Sequence, residues 1–231
     1  MLSAHSNLNR RFQLARRICN KYFFRLLGPL NSRLQPKIKY GIKAGYHHAG
    51  NSLSFDDRNN RDEWQKEVYA FAAGIMKERK FSRVIDFGCG SGYKLLHYLG
   101  EYETLGIELP EMVQWLRINY PERNWIPAPL QRSSGLIADL VICSDMIEHV
   151  KEPDEVIREI QSIHSRLILI STPERIAVAG MNDFGPPENP SHYREWDHNE
   201  FKNWLGQYFD IEDQRIFNDR SITQVIVCKK Y

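Results

Sequence analysis

Three groups of residues carry chemistry by type and spacing. The first is Asp86-x-Gly88-x-Gly90-x-Gly92, where an apolar run enters a glycine turn and then a helix. Such a turn lets backbone approach a ligand at the carboxyl end of a sheet. Glu108 closes the next apolar run, twenty positions after Gly88, where a carboxylate can accept hydrogen bonds from both hydroxyls of a ribose. The second group is Asp145-x-x-Glu148-His149, directly after the apolar run that ends in Ser144. The third is His192-x-x-Glu195-Trp196, inside a Gly/Pro-rich stretch over 185–196. An imidazole in such a group can take a proton from an alcohol.

These residues need strands to carry them to one edge. From Arg83 onward, strand and helix patterns alternate, the signature of a parallel sheet covered on both faces. The pattern predicts strands over 83–87, 104–108, 124–126, 139–143 and 166–171, and helices over 62–80, 92–99, 111–119, 153–162 and 199–208. Two final strands, 211–217 and 221–229, read as an antiparallel hairpin. The predicted fold is therefore α/β, a Rossmann-like, seven-stranded, mostly parallel sheet closed by a C-terminal hairpin. Residues 185–196 are long for a strand-to-helix connection and are expected to form a lid carrying His192 over an acceptor.

GxGxxG starting at Gly88 would need glycine at 93, where Tyr93 stands. The spacing Asp86-x-Gly88-x-Gly90-x-Gly92 instead resembles motif I of class I methyltransferases that use S-adenosylmethionine (SAM), and the resemblance runs from about Asp62 to Tyr231. It implies that Asp86, Gly88, Cys89, Gly90 and Gly92 lie beside the methionine part of SAM, that Glu108 binds the ribose, and that Ser144 and Asp145 flank the sulfonium. Gln65, with Trp64 and Tyr69, is expected to line the pocket from a preceding helix. Ala128-Pro129-Leu130 has no acid where many family members place one near adenine. The later pattern, Asp145-x-x-Glu148-His149 with His192, resembles O-methyltransferases of small-RNA 3′ ends and of ubiquinone precursors. In the RNA group the matching acids and histidines bind a divalent metal, although the first acid there is Glu. The resemblance thus implies catalytic His149 and His192 and a metal held by Asp145, Glu148, His149 and His192.

The implied reaction is O-methylation of a small-molecule or glycan acceptor, with a vicinal diol favoured. Methylation of an RNA terminal ribose and a non-catalytic SAM-binding assembly subunit are the alternatives. Blander roles also fit: His149 orienting Glu148, and Glu195-Trp196 anchoring the lid. Tyr46, His47 and His48 could close the pocket, and Arg175 and Arg194 could meet an acidic acceptor.

Charge divides the chain unevenly. No acid precedes Asp56, while ten cations lie between Arg10 and Lys43. The remaining 21 of the 31 basic residues face all 29 acids, so the rest of the chain carries −8, a balance unsuited to tracking nucleic-acid phosphates. The sequence thus divides at about residue 45: a basic extension over 1–45 and a methyltransferase domain over 46–231. Within the extension Leu8, Phe12, Ala15, Cys19, Tyr22, Phe23 and Leu26 recur at helical steps between arginines. Residues 8–27 are expected to form an amphipathic helix that packs on a protein surface or lies on an anionic membrane, and the acid-free start also resembles a mitochondrial presequence. The four cysteines lack CxxC spacing, which fits a reducing cytoplasm.

Overall fold

The computed structural model describes residues 39–51, 56, 58–59, 61, 64–130, 135–217 and 222–230. The expected helix over 8–27 lies outside them. Seven strands form one sheet: β1 (Arg83–Phe87), β2 (Glu103–Glu108), β3 (Asn124–Pro127), β4 (Ile137–Ser144), β5 (His164–Pro173), β6 (Asp210–Phe217) and β7 (Thr223–Lys229). Their order is β3-β2-β1-β4-β5-β7-β6. The first five run parallel, while β7 pairs antiparallel with both β5 and β6. The seven-stranded sheet and its closing hairpin are as the sequence predicts. The central strands β4 and β5 carry continuous apolar runs that are buried on both faces.

Among the described residues six α-helices flank it: α1 (Lys66–Glu78), α2 (Tyr93–Leu99), α3 (Pro110–Asn119), α4 (Pro153–Ser162), α5 (Arg175–Ala179) and α6 (His198–Leu205). Proline opens α3 and α4, where its missing N–H costs nothing. A capping box between Asp197 and Glu200 starts α6. The short α5 breaks what reads in sequence as uninterrupted loop; Glu174 caps it by accepting from Ala177 N–H at 2.7 Å.

Each face of the sheet has its own core. Val68, Ala72 and Met76 of α1 join Leu95, Leu99 and Leu116 against Val84, Leu140 and Ile142. On the other face Ile157 and Ile160 of α4, with Phe201 and Trp204 of α6, pack on Ile85, Phe87 and Val141. Residues 39–49 lie along this second side. Trp196 Nε1 donates to the Tyr40 carbonyl at 2.8 Å, the Glu195 amide donates to Tyr46 Oη at 3.0 Å, and the Ala49 amide donates to the Tyr193 carbonyl at 2.8 Å. Among the described residues no helix is long and apolar enough to cross a membrane.

Candidate active site

Strand order reverses between β1 and β4, and open α/β sheets bind ligands at the carboxyl ends beside such a switch. A cavity of about 630 Å³ lies there, walled by the glycine turn, the ends of β2 and β4, and the start of α1. Three glycines make the turn with positive φ: Gly88 at 82°, Gly90 at 51° and Gly92 at 70°. At Gly88 a Cβ would sit 2.6 Å from Met146 Cγ, so both conformation and space demand glycine. The Gly90 and Leu109 amides donate to the two oxygens of Glu108 at 2.9 and 2.7 Å. The carboxylate is thereby fixed on the cavity wall with lone pairs left for hydroxyls.

Of the residues expected to meet the cofactor, Gln65, Gly88, Cys89, Gly90, Glu108, Ser144 and Asp145 line this cavity. Asp86 and Gly92 do not. Asp86 is buried behind the turn and accepts from Tyr69 Oη at 2.8 Å, while Gly92 begins α2 beneath Trp125. Gln65 has φ 65° and donates from Nε2 to the Ser144 carbonyl at 3.2 Å, tying the approach to α1 to the end of β4. Trp64 is half exposed and outside the wall. Sequence reasoning missed Leu109, Met112 and Trp115, which with Ala128 form an apolar end of the cavity that offers a slot for a flat ring, with Glu111 on the same wall. The spacing of Met112 and Trp115 on α3 was the available signal, although it reads equally as a core stripe. Lys94, Met146 and Val150 were also missed.

Beside the cavity the structure brings together three of the four expected metal ligands. Glu148, His149 and His192 each offer one atom, all within 4.8 Å of one another. Glu148 is fully buried; Oε2 accepts from Thr172 Oγ1 at 3.1 Å, whereas Oε1 has no hydrogen-bond partner and lies 4.0 Å from His149 Nε2. His149 Nδ1 is 2.9 Å from the Ser191 carbonyl, which can only accept, so the proton sits on Nδ1 and Nε2 keeps its lone pair. His192 Nδ1 donates likewise to Glu195 Oε1 at 2.7 Å. Its Nε2 accepts from Asn189 Nδ2 at 2.9 Å, with the amide's orientation fixed because Asn189 Oδ1 accepts from Ser191 N and Oγ. Both rings therefore have the outer-shell partners typical of metal-ligating histidines.

Asp145 turns elsewhere. With φ 45°, it accepts from Ser171 Oγ at 2.6 Å and Thr223 Oγ1 at 3.2 Å, and so borders the cavity without joining the cluster. Burial, and then the nearby Asp145 charge, push the Glu148 carboxyl well above the usual range. Burial, then His192, hold His149 down at about 4. Burial thus favours the neutral forms of Glu148 and His149, and a divalent cation would stabilise the carboxylate among the two imidazoles. The residues present fit one.

The segment expected as a lid is packed down. His192, Arg194, Glu195 and Trp196 are all buried, and Trp196 bridges to Glu174. His192, expected on a lid over the acceptor, is held among polar partners, Glu195 and Asn189. Both arginines proposed for an acidic acceptor turn inward. Arg175 pairs with Glu200 and Asp197 and donates to the Asp183 carbonyl, while Arg194 donates to the Val150 and Lys151 carbonyls. Tyr46 backs this layer, and His48 packs edge-on against it.

A family model described as a methyltransferase domain matches residues 57–224. The Synechocystis PCC 6803 magnesium protoporphyrin IX methyltransferase with bound SAH (S-adenosylhomocysteine) aligns with TM-score 0.57 and 15% identity, over 79% of this chain and 90% of that one. The methyltransferase domain of a bacterial Hen1 protein gives 0.56 and 18%, over 72% and 98%. The plantazolicin methyltransferase BpumL in complex with SAH gives 0.55 and 13%, over 76% and 87%. No curated protein sequence matches. At these identities the structural likeness is one of fold, and it agrees with the family match. The chain belongs to the class I SAM-dependent methyltransferases.

Proposed function

We propose that this methyltransferase acts on a hydroxyl of a sugar, glycan or other vicinal diol, with a divalent cation, Mg or Mn, held by Glu148, His149 and His192. The carrying observation is the partnerless Glu148 Oε1, buried within 4.8 Å of ring nitrogens of His149 and His192 at the edge of the cofactor cavity. SAM supplies an electrophilic methyl group, and a bound cation would supply a Lewis acid that lowers the pKa of a hydroxyl and favours neighbouring hydroxyls. Glu108 holds the ribose end, the glycine turn admits the methionine end, and His149 reaches the cavity wall. Glu195 and the Ser191 carbonyl hold the proton of each imidazole on Nδ1, and a cation on His192 Nε2 would displace the Asn189 amide that donates to it. The acidic balance of the chain after its first cations supports a glycan or small acceptor over extended RNA.

One observation favours a second reading. Asn189 already donates to His192 Nε2, so His192 can be a support, with neutral His149 taking the acceptor proton directly. The test incubates protein and SAM with glycans, catechols and short RNAs and reads a one-methyl mass gain. Loss on chelation with recovery in Mn²⁺ supports the cation. Activity that survives chelation but disappears in His149→Ala supports the base. Full activity in both His149→Ala and His192→Ala removes the cluster from the mechanism.

A further inference from the structure

Among the described residues, nothing helical covers one stretch of sheet on the side that α4 and α6 cover elsewhere. Leu105, Ile126 and Ile137, on three strands of one face, floor an open groove of about 460 Å³ that ends at the buried Ile85 and has Arg83 and Glu103 on its rim. Ile137 is 57% exposed there. The cause is local. Parallel strands are normally joined through about a dozen or more residues that build a covering helix, and the connection 128–136 between β3 and β4 is shorter. Among the described residues no helix lies over β3 and β2 on this side, although parallel sheets are normally covered on both.

We propose that residues 8–26 of this chain dock in that groove and complete the layer. Their apolar positions, Leu8, Phe12, Ala15, Cys19, Tyr22, Phe23 and Leu26, form one stripe at helical spacing. A helix of that span is about 28 Å long, comparable to the width of several strands. The chain enters the described body beside α4: Lys39 and Tyr40 both bind Glu152, the residue before that helix, at the carboxyl edge of the sheet, while the groove lies at the amino edge. That helix covers the strand next to the groove, and Leu130 N–H, on the β3–β4 connection, donates to its Glu159 at 2.8 Å. Residues 27–38 can reach about 40 Å when extended, ample to return along the sheet. Charge agrees as well. The stripe is flanked by Arg10, Arg11, Arg16, Arg17, Lys21 and Arg25, and the neighbouring α4 carries Asp154, Glu155 and Glu159, whereas Glu103 on the rim is already paired with Arg83 at 3.0 Å. An anionic lipid surface would suit the same cations but would leave the groove uncovered.

The test uses the full chain carrying Ile137→Cys. Cys89, Cys143 and Cys228 are buried, so a short bismaleimide should report on Cys19 and the new thiol. An intramolecular 19–137 cross-link in dilute protein is expected. Trypsin should cut at Arg10–Arg25 at least about tenfold more slowly in the wild type than in Phe12→Asp/Phe23→Asp, because cleavage follows the undocked population. Absence of the cross-link together with equal cleavage rates overturns the proposal. Protection that develops only with phosphatidylglycerol vesicles overturns it in favour of lipid. Cross-links between molecules that rise with concentration overturn it in favour of a second copy.

Discussion

Replacing Glu148 with methionine should separate the stability of this fold from its function. The side chain is fully buried, one carboxyl oxygen has no partner, and the other accepts only from Thr172 among the described side chains. An unsatisfied buried acceptor costs about 1–3 kcal/mol, and the Thr172 bond contributes about 1 kcal/mol, so in EDTA Glu148→Met should be neutral to about 2 kcal/mol more stable. For a chain of this size that is a rise of up to about 4–8 °C in Tm. With Mn²⁺ the order should reverse. A cation at a hundredfold excess over its Kd stabilises the wild type by about 2.7 kcal/mol, and a variant lacking the ligand gains little. Circular-dichroism melts of both proteins in EDTA and in MnCl₂ measure all four values. If Glu148→Met loses more than about 2 kcal/mol in EDTA and both proteins respond alike to Mn²⁺, Glu148 is a structural strut and the cation reasoning fails.

Glu108→Ala should weaken SAM binding at least about tenfold, since each hydrogen bond to a carboxylate contributes about 1.5–3 kcal/mol; equal affinities by titration calorimetry would remove Glu108 from the ribose site. Gly106→Ala should destabilise the fold by about 1–3 kcal/mol, because its Cβ would lie 2.5 Å from the Trp125 ring and 2.7 Å from Cys89 Sγ. An unchanged urea midpoint would show that Trp125 moves freely, contrary to its packing.

What could be read in the sequence was what is written locally. Asp86 to Gly92 needs only a strand, a turn and a helix in succession, and Glu108 ends a strand whose place follows from the first. The five parallel strands were legible because apolar runs of that length between helical patterns have few other uses. The cluster was partly legible: Glu148 and His149 are neighbours in sequence, but their meeting with His192 depends on a layer assembled from Tyr46, Glu195 and Arg194. Asp145 illustrates the limit. Its direction is set by Ser171 and Thr223, which lie 26 and 78 residues away, and no local pattern points to either. Arg175 and Arg194 were misjudged for the same reason, since a loop rich in polar residues gives no sign that it will bury its cations against carbonyls and carboxylates. Likewise the shortness of 128–136 matters only once the sheet order shows which strands it leaves bare.

The position of β7 affects how this protein can be made. It is the last of the seven strands to be synthesised, yet it sits inside the sheet, with β5 on one side and β6 on the other. Until it emerges from the ribosome, β5 presents an unpaired edge through Ile168 and Ile170, and β6 has no neighbour. Thr223 and Gln224, at its start, also hold Asp145 and the Trp196 carbonyl. A nascent or prematurely terminated chain would therefore carry both an aggregation-prone edge and an unfinished pocket. Quality control that recognises exposed strand edges would discard the same molecules that cannot catalyse.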